Sequence, residues 1–186
     1  MGQRYQEIPA KQIEFIRDQK IFFVGTAGGD DTRVNVSPKG LDSFRVLSPT
    51  RVIWLNTTGS GNETAAHLLE NSRMTIMFCA FVGAPLILRL YGSATAVHPR
   101  DAAWSELYGQ FEPIPGARQI FDMTVDLVQT SCGMAVPNLV YQEDRTLLND
   151  WAEKKGPEGV RDYWTEKNQV SLDGKPTRIL GATDAS

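Results

Sequence analysis

The sequence predicts a mainly β, α+β fold in which an antiparallel sheet closes, fully or in part, into a barrel with helices at its periphery. Three observations lead there. Six or seven short runs rich in β-branched and aromatic residues recur along the chain, bounded by Gly, Pro, Asn, Asp or Ser. Helical patterns between them are sparse, whereas a doubly wound parallel sheet needs a long helix after nearly every strand. The 186 residues suffice for one core, so 1–186 is read as a single domain with a helical C-terminal segment from about residue 143.

In chain order, Ile8 and Pro9 open a helix with Ile13, Phe15 and Ile16 on its buried face. Residues 20–26 (KIFFVGT) read as a strand, the Gly28–Asp31 cluster as a turn, and 33–36 as a second strand of a hairpin. Residues 44–47 and 52–55 are strands around the turn Ser48, Pro49, Thr50. A helix over 61–71 follows, then strands over 74–81 and 86–97 separated by Gly83, Ala84 and Pro85. Residues 101–110 form a short helix, 121–129 a strand, and 144–167 a charged helix broken at Gly156 and Pro157. The polar tail, 181–186, is expected to fray.

Composition excludes several classes. Net charge is −3 with both signs mixed along the chain, which leaves no electrostatic footprint for nucleic acid. No apolar run approaches the roughly 20 residues of a membrane span, and the first residues carry no signal-peptide pattern, so a cytoplasmic protein is expected. Cys79 and Cys132 lie far apart and, with two histidines, make no usual zinc set. Both thiols are expected reduced and buried.

Three motifs can carry chemistry. In Val34-Asn35-Val36-Ser37-Pro38-Lys39-Gly40, strand alternation puts Val34 and Val36 on one face and Asn35 and Ser37 on the other. Pro38 is expected to stop the ladder and release Lys39 at the strand end, a place for a phosphate or a polar ring edge; a strand ending in a solvated lysine fits the same pattern. In residues 56–69 (NTTGSGNETAAHLL), a strand ends near Leu55 and a loop with Gly59 and Gly61 feeds a helix. Ser60 and Glu63 have capping-box spacing, Asn62 is an alternative cap, and Ala65, Leu68 and Leu69 form the buried stripe. Such a helix start exposes N–H groups and the positive dipole end to an anion, although a merely well-capped helix looks the same. The third motif, residues 129–137 (QTSCGMAVP), lets Ser131 and Cys132 face a ligand, or lets Cys132 fill a core gap. His67 is expected on the polar side of its helix. Neither His67 nor His98 has a triad partner at a telling spacing, and the carboxylates after Glu143 read as a solvated face.

These motifs, in this order, resemble the pyridoxamine 5′-phosphate oxidase-like FMN-binding family, most specifically through GSGNETAAHL followed by ENSRMTIMFCAF. The resemblance spans about 22–136, with further likeness in Lys154-Lys155-Gly156 and Ser171-Leu172-Asp173-Gly174. It implies a split β-barrel that forms a homodimer with FMN in clefts at the subunit interface. On this chain it implies cofactor contacts from Arg33, Val34, Asn35, Val36, Ser37 and Lys39, and from Leu55, Asn56 and Thr57. It implies a phosphate grip by Gly61, Asn62, Glu63 and Thr64, and a partner-subunit approach by Gln129, Ser131 and Cys132. Authentic pyridoxamine-phosphate oxidases resemble the chain less: they carry an Arg-Lys pair where Glu63 and Thr64 stand, and a basic substrate-phosphate site near the C-terminus. The resemblance therefore implies an FMN-dependent oxidoreductase acting on an unknown small molecule, not the namesake oxidase. A non-enzymatic flavin carrier or sensor, or a deazaflavin-binding relative, remains the alternative; no metal is implied, and haem is disfavoured for want of an axial histidine motif.

Overall fold

The protein, described here from a computed structural model over residues 2–181, is built on one antiparallel sheet. The elements run β1 (Arg4–Tyr5), α1 (Ala10–Asp18), β2 (Phe22–Thr26), β3 (Asn35–Lys39), β4 (Phe44–Ser48), β5 (Arg51–Thr57) and α2 (Glu63–Glu70). They continue β6 (Arg73–Cys79), β7 (Ile87–Val97), α3 (Trp104–Tyr108), β8 (Ala117–Ser131) and α4 (Leu147–Lys167). The ladder runs β3-β2-β6-β7-β8-β5-β4, with β1 added on β8.

Period-two alternation explains the strands. Met74, Ile76 and Phe78 of β6 and Leu88, Leu90 and Ala94 of β7 point into the main core, while their neighbours face outward. Phe22 of β2 and Phe44 of β4 belong to opposite ends of the ladder, yet their ring centroids lie 5.1 Å apart. The sheet therefore rolls up until its ends meet through side chains. β3 and β4 share no ladder, so the barrel is split there. β5 is buried on both faces: Val52 and Trp54 enter the main core, and Ile53 and Leu55 pack with Leu107 and Phe111 under α3. The long β7–β8 pairing changes register between Tyr91 and Gly92. A Cβ on Gly92 would lie 1.9 Å from the Thr124 carbonyl oxygen, so only glycine fits.

Several expectations need correction. The second strand begins at Asn35 rather than residue 33 and runs through Pro38 to Lys39, which pairs with Phe22. Pro38 is tolerated because β3 is an edge strand whose second side needs no N–H. The short helix shrinks to Trp104–Tyr108. In α2, Ala65 and Ala66 are buried whereas Leu69 is 43% exposed. His67 is not on a polar side; it is 1% exposed, with Nδ1 3.0 Å from Thr26 Oγ1. Cys132 is exposed, and only Cys79 is a buried thiol. The break in α4 falls where expected, at Gly156 (φ 66°) before Pro157. Apart from Gly181, the tail lies outside the described residues.

Candidate anion and cofactor site

The split between β3 and the body of the barrel opens onto a small cavity of about 30 Å³. Three sequence-distant segments line it. Asn35, Ser37 and Lys39 come from one face of β3, Trp54 and Asn56 from β5, and Gly61 to Ala65 from the start of α2. Strand alternation makes the β3 contribution polar, because Val34, Val36 and Pro38 take the opposite, outward face. Asn35 Nδ2 donates to Thr64 Oγ1 at 3.3 Å and ties β3 to the helix start.

The helix start is held from behind. The expected cap bonds from Ser60 and Asn62 side chains are not made. Instead Asn62 N–H donates to Glu63 Oε2 at 3.1 Å, and Asn62 Nδ2 donates to the Val170 carbonyl at 3.0 Å. Arg118, 1% exposed, donates from Nη1 to the Gly59 carbonyl (3.0 Å) and Asn168 Oδ1 (2.9 Å), and from Nη2 to the Gly61 carbonyl (2.6 Å). Trp164 Nε1 donates to Thr58 Oγ1 at 2.8 Å, and Asn168 Nδ2 to the Gly59 carbonyl at 3.0 Å.

Lys39 Nζ lies 5.3 Å from the centre of the Trp54 ring. Burial, and then the neighbouring Arg118 charge, push the Lys39 ammonium down to about 8, while Glu63 partly offsets them. Burial likewise brings Arg118 down to about 10. The Trp54 indole N–H is buried without a partner, as is Arg118 Nε. Lys39 and Glu63 line the cavity beside the start of α2, and Arg118 lies outside the lining, under the Gly59–Gly61 loop. Only a small group enters a cavity of this size, so most of any larger ligand would lie outside it.

The structure brings together Asn35, Ser37, Lys39, Asn56, Gly61, Asn62, Glu63 and Thr64. It does not bring the other predicted residues there. Arg33 is held by Asp173, which accepts from the Arg33 backbone N–H at 2.8 Å and pairs with its guanidinium. Val34 and Val36 are exposed, Leu55 faces α3, and Thr57 lies beyond the lining. Gln129 accepts from Tyr91 Oη at 3.2 Å and Ser131 from Arg89 Nη1 at 3.1 Å, both apart from the cavity. Sequence reasoning missed Trp54, Arg118, Trp164 and Asn168. Arg118 had a signal, a lone cation inside the largely apolar run from Ile114 to Val125.

Fold and site together define a split β-barrel with a small polar cavity between β3, β5 and the start of α2. The chain belongs to the pyridoxamine 5′-phosphate oxidase family, which it matches over residues 8–132. It is 36% identical over 190 residues to the pyridoxamine 5′-phosphate oxidase family protein ustO of Aspergillus flavus, covering 92% of this chain and 76% of that one. Among solved structures, it is similar to a Lactobacillus delbrueckii protein named for pyridoxamine 5′-phosphate oxidase (TM-score 0.51, 17% identity, 67% of this chain and 94% of that one). It is also similar to a histidine-to-alanine variant of HupZ from group A Streptococcus (TM-score 0.50, 20% identity, 67% and 99%). At these identities the two structures speak to the fold alone.

Proposed function

We propose that the chain is an FMN-binding flavoprotein that transfers hydride to or from a small molecule, working as a homodimer. One observation carries the reading: Lys39, Trp54 with its unpartnered indole N–H, and the start of α2 line one small polar cavity. Members of the family commonly bind flavin, and the donor set fits the phosphate end of FMN. Lys39 and the N–H groups of Glu63 and Thr64 would hold that phosphate, with Asn35 fixing Thr64. Bound FMN supplies hydride chemistry at its ring, so no protein nucleophile is needed. Glu63, standing where the namesake oxidases carry a cation, turns its carboxylate back to the Asn62 N–H. That local bond lets the site keep an acidic residue beside an anion.

The outward sheet face supports the dimer. Phe23, Met77, Tyr91 and Leu127 are half-buried there, and Val34 and Val36 are 75% and 67% exposed. A two-fold partner is the commonest cover for such a face, and Gln129, Ser131 and Cys132 would then approach the partner's flavin. No helix among the described residues is long and apolar enough to cross a membrane. The test is reconstitution: a flavin spectrum with stoichiometric FMN in a dimer supports the reading, and stopped-flow reduction by NADH or NADPH then separates enzyme from carrier. A 20.6 kDa monomer that retains stoichiometric FMN refutes the shared site.

A further inference from the structure

Arg118 stands apart from every other arginine described. It occupies the bulge where β5–β8 pairing steps from Asn56↔Gln119 to Thr57↔Ala117, so it is the extra residue with no partner across the ladder. A bulge re-aims a side chain, and this one sends a guanidinium beneath the Gly59–Gly61 loop. No carboxylate among the described residues forms an ion pair with it. Its acceptors are the carbonyls of Gly59 and Gly61 and the Asn168 amide oxygen, which are dipoles rather than charges, and Nε has no acceptor. A cation buried this fully without a counter-charge is costly.

The geometry points to Arg118 as the positioning residue of the anion cradle: by drawing the Gly59 and Gly61 carbonyls to itself it turns the loop's donors toward the cavity, and its charge, unpaired by any carboxylate, makes the site select a phosphate monoester over a neutral ligand. A carbonyl pointing into the cavity would repel a phosphate, and the guanidinium fork removes two such carbonyls. Lys39 and Arg118 then present two positive charges against the one of Glu63, a net excess of one that an anionic phosphate group offsets and an alcohol does not. The fall of both cations from their ordinary values agrees with charge held in a pocket that lacks its counterpart. Asn168, bonded to both the guanidinium and the Gly59 carbonyl, fixes the same arrangement from the C-terminal side.

This rests on the reading of the cavity as the phosphate site of a flavin ligand, and the experiment separates the two. FMN and riboflavin are titrated by flavin fluorescence against the full chain, Arg118→Gln and Arg118→Lys, with far-ultraviolet circular dichroism as the folding control. Arg118→Gln is expected to weaken FMN at least 30-fold and riboflavin less than threefold, collapsing the ratio between them. Arg118→Lys, which keeps the charge but loses the fork, is expected to weaken FMN about fivefold with riboflavin again unchanged, and it decides the matter if the glutamine variant does not fold. Equal losses for both ligands, or unchanged FMN affinity, overturn the role of Arg118 while leaving the site reading intact. No preference for FMN in the unaltered chain overturns the site reading itself.

Discussion

The cradle at β3 and α2 and the outward face of β7 and β8 are both polar places in an apolar barrel, but they are built differently. In the cradle, charges are buried, donors are left unused, and three segments are tied together by side-chain bonds. On the outward face, Tyr91 pairs with Gln129 and Arg89 with Ser131, half in solvent, so the polar groups satisfy one another. Unspent donors in a buried place are what the proposed phosphate end of the ligand would satisfy. Self-satisfied groups on an open face gain a role only when another surface covers them.

The sharpest break of this comparison is the ligand's phosphate. Two or three charge-assisted bonds at about 1.5 kcal/mol each predict that FMN binds about a thousandfold more tightly than riboflavin. Equal affinities by fluorescence titration would show the cradle to be a polar gap and nothing more.

Acid should strain the cradle side first. His98 is buried at the end of β7, its Nδ1 unpartnered. Burial, then the Arg100 and Arg118 charges, lower it to about 4 against the opposing Asp101. The unfolded chain therefore holds the extra proton between about pH 6.5 and 4, and stability falls as pH drops through that window, by about 3 kcal/mol in all. Urea unfolding of the chain and of His98→Gln across this range checks it; the variant should lose the slope.

Lys39 sharpens the contrast between binding and folding. Its lowered value means that the unfolded chain binds more protons between about pH 8 and 10.5, so ligand-free stability rises with pH there, and below pH 8 the burial cost stands in full. Lys39→Met should raise the ligand-free melting temperature while lowering FMN affinity about tenfold, about 1.4 kcal/mol. A fall in both would make the lysine structural.

The smallest effect belongs to the open face. Gln129→Ala should weaken FMN about threefold, and only at protein concentrations where the dimer forms, by sedimentation read alongside the titration. A loss that persists in the monomer would remove the shared-site assignment of Gln129.

How much of this was legible follows from range. The strands, the α4 break and the β3 face carrying Asn35, Ser37 and Lys39 are local patterns, and periodicity reads them. The edge position of β3 is not local, so Pro38 looked like a stop when the free side of an edge strand accommodates it. His67 is polar in sequence and buried in fact because Thr26, 41 residues earlier, offers its hydroxyl. Arg118 hid for the same reason, since its meaning depends on a bulge and on carbonyls near Gly59. The pairing of Arg33 with Asp173, 140 residues away, is likewise out of reach of any local pattern.

The bonds from the C-terminal segment set an order of assembly. Every strand of the sheet has emerged once Ser131 is made, but the brace on the loop waits for Trp164 and Asn168, and the anchor on Asn62 for Val170. The Thr58–Trp164 bond closes a separation of 106 residues, the kind of long-range contact that forms late. A ribosome that halts between these points releases a barrel with its seam open and its glycine loop unheld. Such a fragment would lack every bond that Trp164, Asn168 and Val170 make to the segment from Thr58 to Asn62.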